Sequence, residues 1–289
     1  MRALPAPPAA YRSRLALLAF AAGLLALLVL APGAGADAFT PESGGSPNAD
    51  DIDALYKIVL YVGILMFLIV EGALIWSLVR HRARRGGPEP AQIRGNTPLE
   101  LGWTMGAALI LVVITAVTFA YLSDIEKPPP SDPDGLASGV EVASIGQPNP
   151  PGGAKSLRIG VNGQQYLWRY DYPGKEIYSY HELVVPIKTT VTLKITSSDV
   201  AHSWWIPKLG GKADAVPGHT NQTWFKIPKP GLYSGQCAEL CGAGHADMRA
   251  QVRAVTPAEY ERFIARQKAD IRRAQTDLAI QRRERGGDQ

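Results

Sequence analysis

Two long apolar stretches, at residues 58–79 and 101–122, stand out from a chain that otherwise mixes polar and apolar positions closely. Each has about 20 residues, the length an α-helix needs to cross the hydrocarbon core of a bilayer. A shorter apolar run at 15–30 follows Arg2, Arg12 and Arg14 and ends near the small residues Ala34-Gly35-Ala36. Residues 1–36 therefore read as a signal peptide or a signal anchor. Residues 37–53 are polar, with Gly, Ser, Pro and Asp, and are expected to form a loop. The connection 80–94 carries Arg80, Arg82, Arg84, Arg85 and Arg94. The positive-inside tendency puts such a connection in the cytoplasm and everything C-terminal to residue 122 on the opposite side. Tyr61, Trp76, Trp103 and Tyr121 suit interfacial positions. Helices over about 58–79 and 101–122, within a segment 37–122, make a transmembrane hairpin.

Beyond residue 122 the pattern changes. Residues 123–154 contain Pro128-Pro129-Pro130 and Pro150-Pro151-Gly152-Gly153 and read as an extended linker. From 155 to 256 short runs rich in β-branched and aromatic residues alternate with turn residues. Strands are expected at 157–161, 165–172, 183–185, 189–196, 222–227 and 249–255. About a hundred residues so patterned predict an all-β Greek-key sandwich. Residues 257–289 are polar and helical in pattern, and read as a solvated helix or tail.

Composition narrows the function. The net charge of +4 comes from 30 basic and 26 acidic residues, with much of the excess after Arg80 and in the C-terminal tail. No basic patch falls on a predicted folded face, so a nucleic-acid partner is not expected. The two cysteines, Cys237 and Cys241, are the only ones in the chain. That leaves no C-x-x-C-H attachment for a haem. They share one short loop with His245 and Met248, and His202 lies upstream at what reads as the end of a strand. Thiolate, imidazole and thioether are the ligands copper favours, and two thiolates can bridge two ions where one cannot. A disulfide is the alternative in an oxidising compartment. It would close only a very short loop and leave the histidines and methionine without a role. Zinc would not need the thioether.

The loop Cys237-x-Glu239-x-Cys241-x-x-x-His245-x-x-Met248 closely resembles the copper motif of subunit II of haem–copper cytochrome c oxidases. Further segments agree: Asp199-Val200-Ala201-His202-Ser203-Trp204, Lys212-Ala213-Asp214-Ala215-Val216-Pro217-Gly218, Gly231-Leu232-Tyr233-Ser234-Gly235-Gln236, and Glu100 with Trp103-Thr104. The likeness spans roughly residues 50–255 and implies a cupredoxin-like sandwich over 155–256. It implies a binuclear CuA centre of two copper ions. Cys237 and Cys241 would bridge both, with His202 and Met248 on one ion, and His245 and the Glu239 carbonyl on the other. The Glu239 carboxylate would help bind magnesium against subunit I.

The same resemblance implies electron uptake from cytochrome c, or a cytochrome c domain, at Tyr166 or Trp168. Tyr166 stands where the family has tryptophan. Asp171, Asp199 and Asp214 would form the docking acids, and Glu100 the mouth of a proton path. Subunits I and III would be partners, and dioxygen reduction with proton pumping would belong to subunit I. The implied setting is a multi-pass protein of a bacterial cell membrane with its copper domain on the periplasmic side. A CuA subunit of a nitric oxide reductase, and a metal-free disulfide-bearing sandwich that only assembles, are the alternatives. Glu71 is expected to face protein rather than lipid. His81, His181 and His219 are expected to be ordinary polar positions.

Overall fold

The computed structural model of the chain describes residues 40–82, 91–136, 140–141, 155–172, 174 and 176–286. The expected signal at 1–36 lies outside them, as do most of the arginine-rich connection and much of the linker. One compact unit spans Glu42–Gln289.

Helix α1, Pro47–Arg80, starts earlier than the apolar run within it. The loop expected at 37–53 is therefore corrected, because the helix begins inside it. Pro47 suits a first turn, where its missing N–H costs nothing. That polar turn is held by tertiary contacts rather than by lipid. Asn48 donates to the Trp224 carbonyl at 2.9 Å, and Lys226 N–H donates to Ser46 Oγ at 3.0 Å. Helix α2, Thr97–Glu126, opens on an Asn96 cap that accepts from Leu99 N–H at 3.2 Å. The Glu100 carboxylate reaches back to accept Asn96 N–H at 3.0 Å. At the far end of α2, the Trp224 indole N–H donates to the Ile125 carbonyl at 2.9 Å. Trp224 thus touches the outer ends of both helices. Between those ends the side chains of α1 and α2 are largely apolar and exposed. Both helices are long and apolar enough to span a membrane.

The rest is a two-sheet sandwich. One sheet contains β1 (Val140–Glu141), β2 (Lys155–Gln164), β3 (Leu167–Tyr172), β4 (Ile177–Tyr180), β6 (Thr190–Ser197) and β9 (Asn221–Lys226). Its order is β4-β3-β2-β6-β9, with β1 also paired to β2. The second contains β5 (Glu182–Pro186), β7 (His202–Trp205), β8 (Ala213–Ala215), β10 (Gly231–Cys237) and β11 (Arg249–Val255). Its order is β5-β11-β10-β7-β8. Pairs β2–β6 and β5–β11 are parallel. Strict alternation on β3 sends Trp168, Tyr170 and Tyr172 inward, as the two-residue side-chain period of a strand requires. They meet Ile159, Val161, Leu193, Val185 and Val252 in one continuous core. Trp204 stacks on Phe225 and donates to the Tyr170 hydroxyl at 3.2 Å.

The strands differ from expectation in instructive places. Gln165 and Tyr166 form the β2–β3 turn, so the strand predicted at 165–172 begins at Leu167. His202 opens β7 instead of closing a strand. Strands β4, β7, β8 and β10 carried too little alternation to be predicted. β10 in particular is Gly- and Ser-bearing, and its Gly235 is needed for close approach. A Cβ there would stand 1.9 Å from the Trp205 carbonyl on β7. The C-terminal stretch is helical, as expected, but its first half is not solvated. Helix α3, Pro257–Gly286, buries Tyr260 and Ile264 in the core and packs Phe263 and Ile271 against it. Only the part beyond Ile271 is solvated on all sides.

Candidate metal centre

Two neighbouring strands and one return loop build the centre. Cys237 ends β10, and its N–H donates to the Met248 carbonyl at 2.9 Å, closing the loop at its base. Ala238 N–H donates to the Ser203 carbonyl at 2.8 Å and joins the loop to β7. Within the loop, His245 N–H returns to the Gly242 carbonyl and Met248 N–H to the His245 carbonyl. Gly242, at φ +127°, makes the turn that other residues rarely adopt. Every ligand-type side chain therefore hangs on backbone that is already hydrogen-bonded.

The donor atoms converge. Cys237 Sγ lies 3.9 Å from Cys241 Sγ and 3.9 Å from His202 Nδ1. Cys241 Sγ lies 3.6 Å from His245 Nδ1 and 3.8 Å from Met248 Sδ. The Glu239 carbonyl lies 3.2 Å from Cys237 Sγ, while its side chain is exposed. His202, Cys237 and Cys241 offer ligand atoms within 4.8 Å of one another and are all buried. A disulfide needs about 2.05 Å between sulfurs, and both cysteines are free. Ligands that share an ion at about 2.0–2.3 Å stand roughly twice that far apart at most. The set fits a soft-metal site in donor type and in spacing.

Electrostatics agree with a site that needs a cation. Burial, with the neighbouring Cys237 adding to it, pushes the Cys241 thiol up to about 11. At neutral pH that thiol keeps its proton until something positive replaces it. Asp199 behaves oppositely. Burial alone would raise it, but hydrogen bonds from His202, from Gln165 and Val200 N–H, and from Ser197 hold it down at about 2.

The aromatic positions separate cleanly. Trp168 is fully buried and meets the His202 ring edge-on at 5.9 Å between centroids. Tyr166 is half-buried and lies across the metal loop, so close that a Cβ on Gly244 would stand 2.5 Å from its ring. Asp171 pairs with Arg169 at 2.8 Å, and Asp214 is exposed on β8. Glu100 lies far along the chain's fold, in the first turn of α2, where its carboxylate caps Asn96. His181 and His219 are exposed, and Glu71 is half-buried on α1.

Sequence reading named the donor set but not what surrounds it. Asp199 accepts from His202 Nε2 at 2.9 Å, and Gln165 Nε2 donates to the Cys241 carbonyl at 2.6 Å. Gly163 is also required, since a Cβ there would stand 2.9 Å from His202 Cδ2. The only signal for Asp199 was its place three residues before the histidine. Gln165 gave none.

Fold and site together define a class: membrane-tethered, cupredoxin-like sandwiches with a thiolate and imidazole metal loop at one end. Comparison with known proteins makes the class specific. The family described as "Cytochrome C oxidase subunit II, periplasmic domain" matches residues 176–255, and its transmembrane-domain counterpart matches 37–121. "Cytochrome c oxidase subunit 2" of Thermostichus vulcanus is 32% identical over 254 residues, covering 78% of this chain and 77% of that protein. The Alkalihalophilus pseudofirmus protein of the same name is 30% identical, covering 82% of this chain and 65% of its own length. A crystal structure of the periplasmic domain of cytochrome oxidase subunit II (CoxB) from Bradyrhizobium japonicum is 34% identical, with a TM-score of 0.39. It covers 39% of this chain and 94% of its own. The chain belongs to the cytochrome c oxidase subunit II family.

Proposed function

We propose that the loop holds a binuclear copper centre that takes single electrons from cytochrome c, or a cytochrome c domain, and passes them to haem in subunit I. There dioxygen would be reduced to water with proton pumping, with subunit III completing the complex. One observation carries the reading. Two buried thiols stand 3.9 Å apart, unbonded, and each faces the Nδ1 of a different imidazole. That pairing sets one imidazole beside each sulfur, the arrangement two ions bridged by both sulfurs would need, and the Met248 thioether 3.8 Å from Cys241 Sγ is a donor that a single zinc ion would not need.

Cys237 and Cys241 would bridge, His202 and Met248 would complete one end, and His245 with the Glu239 carbonyl the other. The pair of ions would supply a one-electron relay whose charge is shared over several bonds. The chain supplies rigidity: β7, the end of β10 and the start of β11 fix the donors in one arrangement for both oxidation states. Burial of His202 and Met248 excludes water from that end. Tyr166, half-buried over the loop, would be the outer aromatic for electron uptake, since the fully buried Trp168 offers a docked protein no surface. The exposed Glu239 carboxylate would hold magnesium with water and subunit I. Asp171 and Asp214 would steer the donor, chiefly through its on-rate. Glu100, beyond its cap, would open a proton path. Both helices would cross the membrane with the connection 80–94 in the cytoplasm and the sandwich in the periplasm.

Metal analysis of the natively loaded chain tests this. Two copper equivalents with a mixed-valence spectrum lost in Cys237→Ser are expected. One equivalent, zinc, or a closed disulfide overturns it. Subunits that co-purify decide between an oxygen-reducing and a nitric-oxide-reducing partner.

A further inference from the structure

Asp199 is an exposed residue, but its carboxylate reaches to the metal loop's support. Oδ1 lies 2.9 Å from His202 Nε2 and accepts Val200 N–H at 2.6 Å. Oδ2 accepts Gln165 N–H at 2.7 Å. Its own N–H donates to Ser197 Oγ at 3.2 Å. Both oxygens are engaged by protein groups, and the His202 end of the network is fully buried. Gln165 continues the connection, donating from its side chain to the Cys241 carbonyl at 2.6 Å. Three segments distant in sequence, the β2–β3 turn, the approach to β7 and the metal loop, are thereby closed into one ring of hydrogen bonds.

We propose that Asp199 is a positioning residue, which fixes the His202 ring and the β2–β3 turn to the metal loop. A neutral imidazole carries one proton. With a carboxylate accepting at Nε2, that proton sits on Nε2 and the Nδ1 lone pair is left facing Cys237 Sγ. Ligating histidines are commonly held in this way through their second nitrogen. The unusual part is the second oxygen, which ties the same carboxylate to the turn that carries Tyr166. The aromatic over the loop and the ligand under it are then set by one group. This assignment rests on the copper reading above.

The test uses the full chain in detergent, with Asp199→Asn, Asp199→Ala and, as a charge control, Asp214→Asn. In the copper-free chain, the solvent exchange of the His202 Nε2–H proton is followed with ring-labelled histidine. Exchange is expected to be at least about tenfold faster in Asp199→Ala and little changed in Asp214→Asn. In the loaded chain Asp199→Ala is expected to lose about 10- to 100-fold in copper affinity, the usual cost of removing such a partner, and to shift the copper hyperfine spectrum. Asp199→Asn, which keeps an acceptor oxygen but no charge, is expected to fall between. If both Asp199 variants keep the wild-type exchange rate and spectrum and lose only donor on-rate, as Asp214→Asn does, the proposal is overturned. Should the alanine variant fail to fold, the wild-type chain decides. A slowly exchanging, downfield Nε2–H proton is expected, and its absence overturns the proposal. The exchange measurement needs no copper, so failure of the copper reading is seen separately, as wild-type chain that binds no metal pair.

Discussion

At the residue scale, the metal loop is shaped as much by what it lacks as by its ligands. Gly244 has no side chain because the Tyr166 ring occupies that space, 2.5 Å from the position of a Cβ at Cδ2 and 2.6 Å at Cγ. An aromatic ring cannot bend away as the end of a lysine can, so Gly244→Ala must displace either Tyr166 or the loop. We predict a loss of about 1–3 kcal/mol in stability, the usual cost of overpacking, together with a disturbed copper spectrum. Combining it with Tyr166→Ala should recover much of that stability, since the two groups share one space. Thermal denaturation of the single and double variants checks this, and additive losses would show that Tyr166 is not the obstacle. The donor side chains themselves were legible from sequence because five of them fall within one loop and one short strand. Their supports were not. Asp199 is 34 residues from Gln165, and Gln165 is 76 from Cys241, and no local pattern of polarity records a contact made across two sheets.

At the element scale, two joints hold what the sequence had treated as separate pieces. The first is Trp224 on β9. It is 1% exposed, accepts from Asn48 of α1 and donates to Ile125 of α2. Trp224→Phe keeps most of the buried ring but deletes the indole donor. The Ile125 carbonyl then loses its partner, at a cost of about 1–3 kcal/mol. Amide hydrogen exchange should quicken at residues 46–49 and 124–127 and stay unchanged in β2. The second joint is α3, which its polarity marked as a solvated helix or tail. Tyr260 is fully buried, and its hydroxyl has no partner among the described residues. Tyr260→Ala should therefore destabilise the chain by about 3–5 kcal/mol, like other large aromatic deletions. Tyr260→Phe, which removes only an unsatisfied polar atom, should be neutral or stabilising. A denaturation midpoint measured for both variants checks this, and a large loss in Tyr260→Phe would reveal a bond the packing does not contain. The hairpin and the longer strands were legible because apolar length and two-residue alternation are local properties. β7, β8 and β10 were not, since glycine and serine there break the alternation for close approach and His202 is turned to the buried thiols.

At the scale of the whole molecule, the sandwich core contains three tyrosines whose ionisation opposes folding. Tyr172 is pushed up to about 12 by burial, although its hydroxyl both donates to the Val184 carbonyl and accepts Val184 N–H. Burial likewise raises Tyr170 on β3 and Tyr260 on α3 well above the ordinary value. The three come from different elements but face one core, so none can ionise without opening the contact between sheets and helix. In an unfolded chain they would ionise near pH 10. A group whose folded pKa is raised contributes its full stability below its unfolded pKa, and that contribution falls as pH rises toward the folded value. Stability should therefore be flat through neutral pH, decline from about pH 10 and be lost by about pH 12. Followed by absorbance near 295 nm, the exposed tyrosines should titrate first and reversibly. The buried ones should titrate only together with the loss of near-ultraviolet circular dichroism. Copper should be released in that same step, since the metal loop runs directly between β10 and β11 of the same core. Release of copper at a lower pH than the tyrosine step would mean that the loop opens on its own, and that the rigidity assigned to it does not come from the sandwich.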